Sequence, residues 1–580
     1  MEADALAREA DVIFFDGRFD QSHSPIKDAL LDGIFDVEPE NCNSRTELTY
    51  RRAIAIRESV GDFAGHVQEA HGLFALAEWA PILDVDLFSI LVVHYNLVIG
   101  TLNDIGSGDP ELEEVRKRLE TLESFSAYMA TEVGYGNNLA ALRTEARYDR
   151  RSRTFLINTP EPAARKFMST AGPAPFSKSA IVLARLFVDE QDHGVFPFLV
   201  DISDESGPRP GVAVEPAGAR PGQFTDMATT SFKKVRITKG RLLSEGLAKL
   251  TDEGAFQPII KNPRARFLRA ASRLVHGRLC VASAAAGISR ASVFIAATYS
   301  ETRKTNAPGR TETAVADYLV HSREICTALA RAVAVTAIVN KTRREFSLQG
   351  EDAALDASLC KVFATIEAWK IVTSCRERCG AQGTLSANRI ADYLPFIDAM
   401  RTAEGDNLVL LSGAASQMLS KPPPARAKPP TLTEVGTSFE EMKAILEARY
   451  AELWHELHEA HELARSDNGV FEAWNAVSTR AIGLGRLSAV IAACTEMIEM
   501  AGRVEMLREP VRLLGEIFAM SEILEHQGWC VAEGVSPSDP APGLGRRIDM
   551  SCLALRQDVR MVVAGFGLSS DLLRAPIVRT

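Results

Sequence analysis

The sequence predicts a mainly α-helical protein with a central β domain. Most of the 580 residues lie in segments whose apolar residues recur at helical spacing. Between residues 131 and 261 the pattern changes to short apolar or alternating runs, which Gly, Pro and Asp clusters separate. With 46% apolar and 24% charged residues, the chain has the composition of a globular protein with ample core.

Five consecutive segments follow from these changes of period. They are an N-terminal helical domain (1–130), a β-barrel-like middle domain (131–261), a helical bundle (262–421), a proline-rich linker (422–435) and an additional C-terminal helical domain (436–580).

Within these segments the sequence also predicts individual elements. The N-terminal stretch DPELEEVRKRLETLESFSAYM, residues 109–129, is predicted to be helical. The predicted strands of the middle domain are 153–160, 179–188, 194–202 and 230–238. The predicted bundle helices are 266–300, 312–346 and 353–379, followed by a helix behind Glu404.

Charge and cysteine usage exclude some classes of function. A net charge of −11 argues against a nucleic-acid partner. The nine scattered cysteines indicate reduced thiols. Because the N-terminus lacks the regions of a signal peptide and PIVRT is not an SKL-type terminus, we expect a cytoplasmic protein. No run of about 18 uncharged apolar residues occurs, so we expect no membrane span.

No metal site is predicted. The stretch HELHEAHELA places His455, His458 and His461 at i, i+3 and i+6, which spreads them round a helix. The HExxH register is missing, so this stretch is interpreted as a solvated charged helix.

The stretch RTAEGDNLVL, residues 401–410, places a carboxylate and a glycine directly before an apolar run. One interpretation is a helix start that Asp406 or Asn407 caps. Its apolar residues would then face the core, namely Leu408, Leu410, Leu411 and Met418. This interpretation explains Asp406 and Asn407 better than it explains Glu404.

Four earlier stretches also carry patterns with a local interpretation and a functional one. Locally, the first is a glycine-rich turn before a strand, the third a helix end at Arg303 and the fourth a helix C-cap at Gly380. The stretches are MATEVGYGNNLAALRTEARYD (129–149), ARKFMSTAG (164–172), YSETRKTN (299–306) and CRERCGAQGTLSANRI (375–390).

In this order and spacing, the five stretches resemble those of the acyl-CoA oxidases, which are flavoproteins of the acyl-CoA dehydrogenase superfamily. The resemblance is clearest from about residue 128 to 420 and is mainly architectural after the linker. It implies the acyl-CoA oxidase/dehydrogenase fold, FAD as cofactor, a homodimer and a role in fatty acid β-oxidation.

The resemblance also assigns cofactor-binding residues in the middle domain. Thr131 would hydrogen-bond the flavin ring, and Gly136 would let main chain lie close to it. The glycine that faces the flavin in the family aligns with Thr170 or, allowing one inserted residue, with Gly172. Two tryptophans of the family are replaced, by Phe167 and Met168.

The remaining assignments lie in the bundle. Arg303 matches an arginine that reaches the flavin pyrophosphate across a subunit interface. Gly380 and Gly383 match a turn that exposes main-chain donors to the anionic cofactor. Ala381 and Thr384 depart from the family pattern there.

Glu404 matches the catalytic base of the family. The implied reaction converts a saturated acyl thioester to its trans-2-enoyl form. The base removes a proton from Cα while Cβ gives hydride to flavin N5, and oxygen is then reduced to hydrogen peroxide. The main-chain N–H of Glu404 would help to polarise the thioester carbonyl. Gly413 replaces a glutamine of the family pattern.

Three alternatives stay open at this stage. The first is a dehydrogenase of a specialised pathway that acts on an acyl-CoA or acyl-carrier-protein thioester and passes electrons to a carrier flavoprotein. The second is a flavin monooxygenase on the same fold, against which Glu404 argues. The third is a flavin-free helical scaffold. The basic segment FKKVRITKGR (232–241) is either a site for an anionic carrier or an edge strand guarded by lysines.

Overall fold

A computed structural model describes residues 2–39, 42–218, 226–251, 253–433, 436–467, 469–536 and 538–579. The chain divides into two compact units, one of residues 25–280 and one of residues 1–24 with 281–580. Most of the described residues are helical, and the strands are concentrated in the first of these units. The predicted class, mainly α with a central β domain, is confirmed.

The helices in chain order are α1 Glu2–Phe15, α2 Ser24–Ala29, α3 Cys42–Ser59, α4 Phe63–Gln68, α5 Ala70–Leu83, α6 Val85–Val92, α7 Gly100–Ile105, α8 Pro110–Glu120, α9 Pro263–Ala270, α10 Arg273–Thr302, α11 Leu319–Gln349, α12 Ala354–Arg378, α13 Ile390–Met400, α14 Asn407–Leu419, α15 Phe439–Asp467, α16 Val470–Gly502, α17 Arg508–Leu524, α18 Gln527–Ala532, α19 Ala541–Leu555, α20 Val559–Ala564 and α21 Ser570–Leu573.

The strands are β1 Phe125–Met129, β2 Glu145–Asp149, β3 Thr154–Asn158, β4 Lys166–Met168, β5 Lys178–Val188, β6 Gln191–Asp204, β7 Gly207–Pro208, β8 Val212–Pro216, β9 Ala228–Phe232, β10 Val235–Thr238, β11 Ala248–Leu250, β12 Phe256–Pro258, β13 Lys304–Ala307 and β14 Arg310–Ala314.

The main sheet of the 25–280 unit has the strand order β10-β3-β2-β5-β6-β7, and β1 pairs with β5 in parallel. Its centre is the long antiparallel pair β5–β6, in which Ile181 lies opposite Leu199. Because β5 is apolar on both faces, almost all of it is buried. A second sheet has the strand order β4-β9-β8, so β4 and β9 are not part of the main sheet.

Four sequence predictions about these elements are wrong. The single helix predicted over 266–300 is two helices, because α9 ends at Ala270 and α10 begins at Arg273. Residues 125–129 form strand β1 rather than the end of a helix, because its aromatic and small residues pair with β5 and are buried. The predicted strand 230–238 is two strands in different sheets, which Lys234 separates at φ 51°. Residues 304–314 form the hairpin β13–β14, so the helix predicted from 312 begins only at Leu319.

His94 is fully buried beneath β1 in a short π-helical segment, Val93–Ile99. Its Nε2 lies 2.8 Å from the Leu119 carbonyl, and its Nδ1 lies 2.9 Å from the Ser126 hydroxyl. The neutral ring therefore donates to the carbonyl and accepts from the hydroxyl. Burial lowers the pKa of His94 from 6.5 to about 4.

We expect His94 to make the fold acid-sensitive. The unfolded chain binds a proton near pH 6.5 and the folded chain only near pH 4, so stability is lost as the pH falls through this window. Between pH 7 and pH 5 the loss amounts to about 2 kcal/mol. Thermal unfolding at both pH values checks this result. The variant His94→Gln should lose less stability over the same step, whereas His461→Gln on α15 should behave as the wild type.

Helix α1 belongs to the same compact unit as the C-terminal half of the chain. The Glu9 carboxylate accepts hydrogen bonds from the main-chain N–H groups of Glu505, Met506 and Leu507, at 2.9, 3.1 and 2.9 Å. These groups lie directly before α17, where unpaired helix-start donors attract an anion. The side chain of Asn340 on α11 donates to the Ile13 carbonyl near the end of α1.

Four helical segments of the described chain are long and apolar enough to cross a membrane. They are Val85–Ile105, Arg273–Thr302, Leu319–Arg378 and Val470–Gly502, and their most apolar windows are 94%, 100%, 83% and 56% buried inside the protein. Length and composition alone therefore do not support the prediction of no membrane span. The burial of the first three segments is the environment of core helices.

Candidate active site

Glu404 lies in a tight turn between α13 and α14. Its main chain has a φ of 55°, and Gly405 follows at 106°. A left-handed conformation is unfavourable for a glutamate, so the surrounding structure must hold it. A Cβ on Gly405 would lie 3.1 Å from the side chain of Leu410, which explains why glycine suits this position. The Glu404 side chain is half-buried.

The turn is held from α12 by Lys361, which is fully buried. The Lys361 ammonium donates to the carbonyl of Arg401 at 3.2 Å, to the carbonyl of Gly405 at 2.7 Å and to Oδ1 of Asn407 at 2.9 Å. These acceptors lie on both sides of Glu404 along the chain. One cation therefore fixes the start and the end of the turn that presents the carboxylate.

A second contact from α12 supports the same turn. The Asn407 amide donates to the Thr365 hydroxyl at 3.0 Å, and that hydroxyl donates to the Lys361 carbonyl at 2.9 Å. The sequence alone did not identify Lys361 or Thr365 as residues of the site. Their only signal is a lysine with a threonine four residues later inside the apolar run SLCKVFATIEAWK, residues 358–370.

Helix α14 starts as predicted, with Asp406 as its cap. The Asp406 carboxylate accepts from the N–H of Leu408 at 2.9 Å and from that of Val409 at 3.4 Å. The prediction that Leu408 faces the core is wrong, since this side chain is 62% exposed. Leu411 and Met418 are buried as predicted.

Gly380 and Gly383 lie in a turn at the C-terminal end of α12. Gly380 has a φ of 58°, and a Cβ there would meet no atom within 4 Å. A Cβ on Gly383 would lie 2.3 Å from the Arg376 carbonyl, so this position requires glycine for its own packing. The buried Asn388 amide donates to the Gln382 carbonyl at 2.9 Å and thereby braces the turn.

Arg303 follows the last turn of α10 and is exposed. Its guanidinium forms no ion pair with any of the described residues. Two contacts place the end of α10, the start of α11 and the end of α12 together. The Ser300 hydroxyl lies 2.7 Å from His321, and Ser374 donates to Glu324 at 3.2 Å. Arg303 and the Gly380 turn therefore occupy the same end of the bundle.

The structure does not bring Glu404 to that end of the bundle. Its anchor Lys361 lies near the start of α12, and the Gly380 turn follows the last residue of the helix. At 1.5 Å per residue, about 25 Å of helix separates them. The predicted residues of this unit thus form two groups, Glu404 at one place and Arg303, Gly380 and Gly383 at another.

In the 25–280 unit, Thr131 lies two residues after the end of β1 and beside β4. Its carbonyl accepts from the N–H of Phe167 at 3.0 Å. The Thr131 hydroxyl is half-exposed and makes no hydrogen bond to any described residue. Gly136 lies further along the same loop, is exposed and would place a Cβ in open space.

A buried ion pair holds the segment that carries Thr131. Lys166 donates to Glu132 at 3.0 Å, to the Ala130 carbonyl at 3.3 Å and to the Leu183 carbonyl at 2.7 Å. Both charged side chains are completely buried. Burial lowers the pKa of Lys166 to about 8, although Glu132 opposes the change.

Thr170 and Gly172 lie in the loop after β4, close to β1. Thr170 has a φ of 60°, the conformation that glycine adopts most easily. Its hydroxyl donates within the protein, to the carbonyls of Ser126 and Ser169, so only main chain is left to face a ligand there. A Cβ on Gly172 would lie 2.9 Å from the Asp226 carbonyl.

This loop is held by Lys178, which is also buried. The Lys178 ammonium donates to the carbonyls of Thr170 at 3.0 Å and Gly172 at 2.9 Å, to the Tyr50 hydroxyl at 2.8 Å and to Asp226. Phe167, one of the two positions where the family has tryptophan, is exposed on β4.

Two candidate features have other roles in the structure. Strand β10 is an edge of the main sheet with Lys233 and Lys234 exposed before it, so the edge-strand interpretation of the basic segment is confirmed. His455 on α15 lies 3.0 Å from the Pro424 carbonyl of the proline-rich segment, and His458 stacks on Trp454. Across the described ranges, no group of three or more metal-ligating side chains is found.

Comparisons with known proteins agree with this architecture. Two family models match, "Acyl-CoA oxidase, C-alpha1 domain" over residues 272–419 and "Acyl-CoA oxidase" over residues 438–580, together half of the chain. Acyl-coenzyme A oxidase 2 of Yarrowia lipolytica is 25% identical, and the match covers 94% of this chain and 83% of that protein.

Two further comparisons extend this result. Peroxisomal acyl-coenzyme A oxidase 3 of Homo sapiens is 30% identical over 60% of this chain and 52% of its own length, so the match spans about half of that relative. The crystal structure of acyl-CoA oxidase-1 of Caenorhabditis elegans, complexed with FAD and ATP, has a TM-score of 0.84 at 19% identity. It covers 99% of this chain and 90% of that one. The chain therefore belongs to the acyl-CoA oxidase family.

Proposed function

We propose that the chain is an FAD-dependent acyl-CoA oxidase that forms a trans-2-enoyl thioester and reduces oxygen to hydrogen peroxide. The observation that carries the proposal is the Glu404 turn. Glu404 has a left-handed backbone conformation, which costs stability. The buried cation of Lys361 binds the chain on both sides of this residue, and glycine follows it. Such strain is typical of residues that act on a ligand.

The residues that are present fit FAD. The Thr131 hydroxyl and the Arg303 guanidinium lack partners among the described side chains, and Gly136 and Gly380 leave open space beside main chain. Thr131 suits the polar edge of a flavin ring, and Arg303 suits a pyrophosphate. The relative from Caenorhabditis elegans is a complex with FAD. When bound, FAD supplies the electron sink for the hydride from Cβ.

The chain supplies the proton transfer and the binding groups. The Glu404 carboxylate takes the proton from Cα of the thioester. The main-chain N–H of Glu404 donates to the thioester carbonyl and stabilises the charge that develops there. Gly405 leaves room beside that N–H for the substrate. Thr170 and Gly172 contribute main chain to the cofactor site.

Absorbance measurements test the proposal. Protein reconstituted with FAD should lose its flavin absorbance when acyl-CoAs of different chain length are added without oxygen. In air, the same protein should release hydrogen peroxide in a 1:1 ratio with the enoyl product and without an added acceptor. Bleaching without peroxide release would instead favour the dehydrogenase alternative.

If the purified protein takes up no FAD, both the oxidase proposal and the dehydrogenase alternative are wrong. The homodimer, the cytoplasmic location and the five domain boundaries stay predictions. Light scattering coupled to size-exclusion chromatography measures the first of them.

A further inference from the structure

Only three lysines of the described chain are buried, and each one lies against a different segment of the predicted site. Lys361 binds the Glu404 turn, Lys166 binds the Thr131 segment and Lys178 binds the loop with Thr170 and Gly172. Each of these lysine residues is at most 1% exposed. A buried ammonium is unfavourable unless several acceptors surround it, so fully buried lysines are uncommon in proteins.

Each of the three ammonium groups binds at least one main-chain carbonyl of a loop. Lys361 binds two carbonyls of the 401–405 turn, Lys166 binds that of Ala130 after β1 as well as that of Leu183 within β5, and Lys178 binds those of Thr170 and Gly172. Loop carbonyls have no regular partner in a helix or a sheet. A cation with several donors can therefore fix the path of a loop where secondary structure cannot.

Two of these loops contain a residue in the left-handed conformation. Glu404 has a φ of 55° and Thr170 a φ of 60°, and both are followed by a carbonyl that a buried lysine binds. The hydrogen bonds offset the unfavourable backbone conformation at these residues.

We propose that Lys361, Lys166 and Lys178 are positioning residues, each of which holds, within its own unit, one main-chain segment predicted to bind cofactor or substrate in its working conformation. This inference rests on the proposed function, because it assigns the lysines to the FAD and thioester sites. It also divides the roles. Lys361 acts on proton removal through Glu404, whereas Lys166 and Lys178 act on cofactor binding through Thr131 and the Thr170 loop.

Lysine-to-methionine variants test this division, because methionine keeps the stem and removes the ammonium. Lys361→Met should lower the rate constant of flavin reduction by about 100-fold, the effect of a reacting group displaced by about 1 Å. Its dissociation constant for FAD should change by less than about threefold. Lys166→Met and Lys178→Met should instead raise that constant by about tenfold or more.

A second measurement reads the position of Glu404 without turnover. Acetoacetyl-CoA has an acidic Cα–H, so the base removes its proton without any oxidation, and the enolate absorbs. Lys361→Met should bind this ligand with less enolate than the wild type. The control Lys370→Met removes a lysine from the same helix that pairs with Glu367, and it should leave both the enolate and the reduction rate unchanged.

The milder variant Thr365→Val decides the case if Lys361→Met does not fold. It removes one acceptor of Asn407 and should slow flavin reduction by about threefold to tenfold. An unchanged reduction rate in Lys361→Met, or in Thr365→Val where that variant is needed, overturns the positioning role. A wild type that neither binds FAD nor bleaches with any acyl-CoA overturns the proposed function itself, and with it this inference.

Discussion

Replacing Glu404 by glutamine should stop flavin reduction while the protein still binds its cofactor and substrate. Glutamine has the same shape but cannot accept the α-proton. General-base catalysis contributes up to about 10⁴-fold, and the α-proton of a thioester is only weakly acidic. We therefore expect the anaerobic rate constant of flavin reduction to fall by about 10⁴-fold in Glu404→Gln.

Binding and stability should change little in this variant. The side chain is half-buried, and Lys361 holds the turn through its main chain and through Asn407, contacts that the variant keeps. The dissociation constant of the acyl-CoA, measured from the perturbed flavin spectrum, should stay within about threefold of the wild type.

Asp406→Asn is the matched control, because it removes a carboxylate two residues away. Asparagine caps a helix as well as aspartate does, so α14 should keep its start and the enzyme its rate. If Glu404→Gln reduces its flavin as fast as Asp406→Asn, the catalytic assignment is wrong.

The family motif at Glu404 could be recognised in the sequence because the carboxylate, the glycine and the cap are adjacent in the chain. Local patterns of this kind depend on neighbouring residues, which a single sequence displays directly. The cap at Asp406 was predicted for the same reason and is confirmed.

Lys361 lies more than 40 residues before the turn, so no local pattern connects the two. Its role depends on how α12 packs against the loop after α13. A lysine within a helix is usually solvated, and only the tertiary structure reveals that this one is buried.

The uncertain alignment at Thr170 and Gly172 has a similar cause. The sequence offered both residues as the position of one family glycine. In the structure both positions favour glycine. Thr170 has a left-handed backbone conformation, and Gly172 lies close to the Asp226 carbonyl. Since φ is not visible in a sequence, the choice between them could not be made there.

The largest effect on stability is expected at a buried charge cluster that joins the bundle to the C-terminal helices. Glu367 on α12 and Glu522 on α17 are 2% and 3% exposed. Glu367 pairs with Arg331 and lies 2.8 Å from Lys370, and Glu522 lies 3.5 Å from Arg331. Arg486 on α16 lies 3.3 Å from Glu522 and completes the cluster.

Burial opposes the ionisation of Glu367, but Arg331 and Lys370 outweigh it and hold its pKa below the usual value. The variant Glu367→Met should therefore leave a buried guanidinium without its main partner. Removing one member of a buried pair costs about 3–5 kcal/mol. Denaturant unfolding, followed by circular dichroism, measures this loss.

The double variant Arg331→Met/Glu367→Met distinguishes the contribution of the ion pair to stability from that of side-chain packing. Two apolar side chains of similar size can replace a buried pair at little cost, whereas the single variant leaves the Arg331 guanidinium with the more distant Glu522 carboxylate. Arg486 still neutralises Glu522 in the double variant. We therefore expect the double variant to be more stable than Glu367→Met, with a coupling energy of about 2 kcal/mol. Glu509→Gln, which disturbs an exposed pair on α17, should cost less than about 1 kcal/mol. A double variant less stable than the single one would show that packing, rather than charge pairing, joins these helices.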